Sequence, residues 1–188
     1  MEFKANKNTN YDAEITLDSE ESNVVYCYPG AVKGGYVDGL EVKFRPPNGA
    51  AWLGTFAQGK ISPNAITFAG SDPSGSKAII VSRGSGYIVD VCNPEKWSPI
   101  AVEPIMGILY HEELEIIILW DFISMMCIDS DGIRWTTDSI SWDGIRNVKV
   151  DKGCITLDVW SAPDRCFRNA TVQVSNGYVN GAQSPHLK

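Results

Sequence analysis

The stretch from Leu114 to Trp160 constrains this chain more than any other. It reads LEIIILWDFISMMCIDSDGIRWTTDSISWDGIRNVKVDKGCITLDVW, strand-length apolar runs cut by Asp-Gly and Lys-Gly breaks. Such breaks supply the left-handed backbone positions of tight hairpin turns, so the pattern describes antiparallel strands. Met106 to Leu119 is the one window in which a helix could form, but Ile116, Ile117 and Ile118 are β-branched and stiff at χ1, which suits a pleated strand better. In Cys154–Trp160, Ile155, Leu157 and Val159 share one face while Thr156 and Asp158 share the other. No segment sustains a helical apolar period.

Strands are therefore expected near 13–17, 23–28, 40–45, 50–56, 65–69, 77–82, 86–92, 99–103, 114–119, 122–128, 132–136, 145–150, 154–160 and 169–174. Residues 1–12 read as a flexible lead-in and residues 176–188 as a frayed tail, around a single β domain. A chain of 188 residues buries roughly 70% of its unfolded surface, so its core needs no metal or disulfide staple. Ala78 to Cys92, Glu115 to Ile128 and Asn147 to Trp160 each read as strand, turn, strand, repeating at roughly 30 to 37 residues. The expected fold class is all-β, with antiparallel meanders forming a two-sheet sandwich, or alternatively a small propeller-like array of blade units. The repeat is too loose to choose between them.

Charge is distributed unevenly. Between Trp97 and Ile133 there is no Lys or Arg, yet Glu103, Glu112, Glu113, Glu115, Asp121, Asp129 and Asp131 all fall there, and they account for the net charge of −7. Phosphate backbones and anionic lipid are repelled by such a surface, so neither nucleic acid nor membrane is the expected partner. Solvated strand ends explain the acids at their plainest. As a function, they would steer a basic partner protein toward this face. The polar N-terminus lacks a secretory apolar core and no apolar run approaches the ~20 residues of a membrane span, which together point to the cytoplasm. Five cysteines, at 27, 92, 127, 154 and 166, form no CxxC. Cys92, Cys127 and Cys154 lie in apolar runs, so reduced core thiols are expected. In that compartment the sequon Asn169-Ala-Thr171 meets no glycosylation machinery.

Several motifs come close to a chemical signature and miss. Gly70-Ser-Asp-Pro-Ser-Gly-Ser-Lys77 resembles a phosphate loop, but Lys does not follow the second glycine and a strand, not a helix, comes next. Asp129-Ser-Asp-Gly132 has the alternating aspartates of a calcium loop, then offers Arg134 and Trp135 where further oxygen ligands are needed. Both read as hairpin turns. His111 beside Glu112 and Glu113 has the composition of a tuned base, though a lone His in an acidic turn is ordinarily solvated; His186 lies in the tail. Two histidines and unpaired cysteines make no zinc site, and no metal or cofactor is expected. Glu103, Asp121, Asp129 and Asp143 lie near aromatics that could stack on sugar, and their spacing along the chain does not fix the separation a glycosidase needs.

Trp142 stands out among the tryptophans, because Ser141-Trp142-Asp143-Gly144 reads as a turn apex. A tryptophan there is either tucked into the core or presented as an interface anchor. The stretch Asp131-Gly-Ile-Arg-Trp through Ser141-Trp-Asp-Gly-Ile145, preceded by the apolar strands from Leu114, resembles a family of small bacterial proteins of uncharacterised function. The resemblance covers residues 100–180 at most; it implies a bacterial, cytosolic β protein and carries over no activity. The expected function is a non-catalytic interaction module, an adaptor or neutraliser of a basic protein, with Glu112, Glu113, Glu115, Asp129, Asp131, Trp142 and Asp143 as binding residues and no catalytic ones. The alternative is a carbohydrate or small-molecule binder or hydrolase using carboxylates beside tryptophans. The residues leave the oligomeric state open.

Overall fold

A computed structural model describes residues 1–16 and 24–182, and these are all-β, with no helix among them. The chain divides into two compact units, Met1–Ile105 and Met106–Lys188.

The first unit contains two sheets. One has the order β1-β4-β5-β2-β3, built from β1 (Asp12–Ile15), β2 (Val25–Tyr28), β3 (Val32–Lys33), β4 (Gly39–Arg45) and β5 (Trp52–Ala57). Its pairs are antiparallel except β2 with β5. The other is a meander of β6 (Phe68–Ser71), β7 (Lys77–Ser82), β8 (Ser85–Asp90) and β9 (Trp97–Pro99). The two share one core in which Tyr28, Phe44, Trp52 and Phe56 meet Ala78, Ile80, Tyr87 and Val89. Tyr28 stacks on Phe56 at 4.7 Å and Phe44 on Trp52 at 4.4 Å. The polar ends of these rings are satisfied by donating across the core. Trp52 Nε1 donates to Val91 O at 3.0 Å, Tyr28 OH to Pro94 O at 2.7 Å and Tyr87 OH to Ala57 O at 2.9 Å. Large rings thus bury their area without orphaning a donor, and the same bonds fix the sheets against each other.

Two meanders make up the second unit: β10 (Gly107–His111), β11 (Ile116–Trp120), β12 (Met125–Asp129) and β13 (Gly132–Thr136), then β14 (Ile145–Asp151), β15 (Cys154–Ser161), β16 (Cys166–Gln173) and β17 (Val179–Asn180). Ile116, Ile118, Met125 and Cys127 from one sheet pack with Ile155, Leu157, Val159 and Val172 from the other. The alternation expected in Cys154–Trp160 holds, with Ile155, Leu157 and Val159 buried and Thr156 exposed.

Three of the four sheets are antiparallel meanders, the first sheet alone has a parallel pair, and each unit is a pair of sheets over one core. The meanders begin at Phe68, Gly107 and Ile145, a repeat close to the ~40 residues of a four-stranded blade. The strand pairs expected to repeat occupy different places within it: β7–β8 and β11–β12 are middle pairs, whereas β14–β15 is a first pair. Strand β10 lies between the strands expected at 99–103 and 114–119. Its turn into β11 has no glycine or proline, because Glu115 itself takes the left-handed conformation (φ 49) that closes the loop. Residues 4–11 bond to the β6–β7 hairpin, through Lys4 N to Ala69 O, Asn6 Nδ2 to Asp72 O and Asn10 N to Gly75 O. In the tail, Val179 and Asn180 pair with β16. The expected strand ends at residues 17 and 23, and tail residues 183–188 with His186, lie outside the described residues.

All five cysteines are free. Cys127 is buried as expected, and burial pushes its thiol up to about 11. Cys92 corrects the expectation of a core thiol. The Asp90 carboxylate accepts the amides of Cys92 and Asn93, both at 3.0 Å, which ends the strand two residues early and leaves Cys92 exposed. The stretch Gly70–Lys77, read as a hairpin, forms the β6–β7 hairpin, where Asp72 Oδ1 accepts the amides of Ser76 and Lys77 at 3.2 and 3.0 Å.

Candidate functional site

Consecutive antiparallel strands reverse direction, so the β10–β11 and β12–β13 turns emerge at the same end of their sheet. The turn centres lie two strand spacings apart, about 10 Å. This brings Glu112 and Glu113 beside Asp131, all three exposed. Glu115 closes the first turn, its amide bonded to Glu112 O at 3.3 Å, and His111 Nδ1 accepts the amide of Leu114 at 3.3 Å. His111 is thus a turn-stabilising acceptor. Two aliphatic side chains sit among the acids: Leu114 is 39% and Ile133 51% exposed.

Asp129 is at the same end but has another task. Its carboxylate accepts the amides of Asp131 at 2.8 Å and Gly132 at 3.2 Å, and pairs with Arg134 Nε at 2.7 Å. Burial opposes its ionisation, but the Asp131 amide, Arg134 and the Gly132 amide outweigh that and hold its pKa below the ordinary carboxylate range. Arg134 is the one Lys or Arg between residues 107 and 136, and Asp129 neutralises it. Asp129 thereby occupies the oxygens that a calcium loop would have offered, and no cluster of metal-binding side chains occurs among the described residues. On the neighbouring sheet, Asp151 and Lys152 in the β14–β15 turn offset each other.

Trp142 and Asp143 lie at the opposite end of the β10–β13 sheet, beside the β11–β12 turn. Ile140 and Ser141 donate their amides to Ile123 O at 2.7 and 3.3 Å, and Trp142 N donates to Trp160 O at 3.0 Å. Ser141 is fully buried, its hydroxyl donating to Gly144 O at 2.7 Å and accepting from Trp160 N at 3.0 Å. The turn is pinned while Trp142 and Ile123 stay 40% and 38% exposed, and Asp143 is exposed as well. Asp121 caps its own turn by accepting the amides of Ile123 and Ser124 at 2.7 and 2.6 Å. Of the acids named as possible glycosidase groups, Asp121 and Asp143 both lie by the β11–β12 turn, Asp129 is paired with Arg134 at the other end of that sheet, and Glu103 accepts from Ser85 Oγ in the first unit.

Two clefts open in the first unit. One, of about 240 Å³, includes Tyr26, Lys33, Trp52 and Cys92; the other, of about 370 Å³, includes Leu40, Thr67, Ser82 and Arg83. Neither has a carboxylate of the described residues in its wall. Nothing in the sequence marked either cleft; the only local sign of the second is the Arg83-Gly84 dipeptide between two strand-like runs.

No family model and no curated protein matches the chain. Among solved structures it is similar to a chain described as "Complex of KlAtg21 with coiled-coil of AgAtg16", at 12% identity and a TM-score of 0.44, over 98% of this chain and 56% of that one. This chain thus spans little more than half the length of that neighbour, and a likeness so distant carries no argument about fold or function.

Proposed function

We propose that the chain is a non-catalytic interaction module that presents the acidic end of the β10–β13 sheet to a basic partner protein in the cytoplasm. One observation carries the reading: strand topology places Glu112, Glu113 and Asp131 together in solvent, with Leu114 and Ile133 exposed among them, and Asp129 cancels the sheet's single arginine. Acids at a rim raise encounter rates, and exposed aliphatics between them give a docked partner something to bury. The carbohydrate-acting alternative has less behind it: Asp121 and Asp129 spend their oxygens on turn amides and Arg134, and no carboxylate among the described residues lines either cleft. Titrating a peptide of alternating Lys and Leu into the isotopically labelled protein tests the proposal. Amide shifts should move at residues 112–115 and 130–133 and diminish with salt. Shifts confined to other strands would contradict the assignment.

A further inference from the structure

The first unit carries a feature independent of the acidic end. Ser82, the last residue of β7, is 1% exposed, and its Oγ is buried with no hydrogen-bond partner. An orphaned hydroxyl in a folded core is costly, because its bonds to water have been lost without replacement. Ser82 forms part of the wall of the 370 Å³ cleft, with Arg83, Thr67, Gln58, Leu40 and Ala65 among its neighbours there. A serine side chain has three staggered positions, so rotation about χ1 re-aims the Oγ of a residue that already forms part of the cleft wall.

Arg83 is held at the mouth of that cleft by its backbone. Arg83 and Gly84 both take positive φ (46 and 88), forming the two-residue turn between β7 and β8. Asn, Asp or Gly is the usual choice at Arg83's place, and the turn holds the Arg83 backbone in the left-handed region. The amide of Arg83 donates to Thr67 Oγ1 at 3.2 Å and that of Gly84 to Ile66 O at 2.8 Å, which ties the turn to the opposite wall. Having accepted that bond, the Thr67 hydroxyl still has its proton to donate. The guanidinium of Arg83 is exposed and in no ion pair among the described residues. No carboxylate among the described residues forms part of the wall; the acids nearest along the chain are Asp38 and Glu41, on either side of Gly39 and Leu40.

We propose that this cleft binds a small organic oxyanion, its charged head at Arg83, Thr67 and Ser82 and a short apolar body against Leu40 and Ala65. An unpaired guanidinium, two hydroxyl donors and the Gln58 amide suit a carboxylate or a phosphate monoester, and the volume lies in the lower range of small-molecule sites. The shared chemistry is an oxyanion on an apolar stem. Calorimetric titration with hexanoate, phenyl phosphate and inorganic phosphate separates the sources. Saturable binding of either organic anion is expected, tighter than inorganic phosphate, and the tighter of the two names the head group. Arg83→Gln should weaken it at least tenfold while leaving the melting temperature unchanged. Ser82→Ala should weaken it several-fold without lowering the unliganded melting temperature, because it removes a hydroxyl that has no partner. If that variant folds poorly, Gln58→Ala takes its place with the same expected loss of affinity. Absence of saturable binding by both organic anions, or binding unchanged in Arg83→Gln, would overturn the proposal.

Discussion

Asp129→Ala removes three interactions at once, those to the amides of Asp131 and Gly132 and to Arg134. A hydrogen bond to a charged group contributes roughly 1.5–3 kcal/mol when sequestered. The Arg134 side chain is 37% exposed, so solvent screening reduces its pairing to about 1 kcal/mol. The two turn amides are near enough to water to be rehydrated, and together they add about 1 kcal/mol. The alanine variant should therefore lose about 2 kcal/mol, whereas Asp129→Asn, which keeps an acceptor for the amides, should lose about 1 kcal/mol. Urea denaturation measures both, and a double-mutant cycle with Arg134→Gln should return a coupling near 1 kcal/mol. Because the folded carboxyl titrates below its unfolded value, its contribution is complete above about pH 4 and is lost as pH falls through the lowered folded value. The gap between wild type and Asp129→Asn should accordingly be flat from neutrality to about pH 4 and close below it. Equal losses in the two variants, no coupling to Arg134, or a gap that widens in acid would refute this account of the turn.

Other consequences follow from single contacts. A Cβ on Gly107 would stand 2.0 Å from Trp120 Cζ2, so Gly107→Ala must displace the indole and should cost about 1–3 kcal/mol with a red-shifted emission; unchanged stability and emission would show that the ring does not cover the glycine. In the native protein Cys92 and Cys166 should react with a thiol reagent far faster than Cys27 and Cys127, and reductant should leave the melting temperature unchanged because all five thiols are free. Trp142→Ala should cost less than about 0.5 kcal/mol, since the backbone and Ser141 pin its turn and the ring is exposed; a larger loss would mean that the indole is part of the core.

How far the residues announced this structure depends on where the chain put its glycines. Strands 77–82 and 132–136 were legible to the residue, because Arg83-Gly84 and Asp131-Gly132 punctuate them. Strand β10 was hidden, because Glu115 adopts the left-handed turn conformation and no glycine or proline marks the break between Gly107–His111 and Ile116–Trp120. Side-chain capping was equally invisible: Asp90 and Asp121 end or delay strands by accepting amides two and three residues ahead, and composition alone cannot separate them from solvated acids. The acidic concentration was plain in the sequence, but alternating strand direction gathers Glu112, Glu113 and Asp131 at one end and leaves Trp142 and Asp143 at the other. Asp129 also differs from its neighbours in kind, since a single ion pair turns it inward. The cleft at Ser82 had no signature, because its walls come from segments up to 44 residues apart.

The association rate of a Lys-Leu peptide with wild type and with Glu112→Gln/Glu113→Gln, measured across salt concentrations, tests the interaction proposal most directly. A charge pair held ~7 Å apart in water contributes about 0.3 kcal/mol once screened at physiological salt. Removing two such charges should therefore slow association roughly twofold there and by more at low salt, flattening the salt dependence while leaving stability within about 0.5 kcal/mol. Identical rates and identical salt slopes in the two proteins would contradict the claim that this end receives a basic partner.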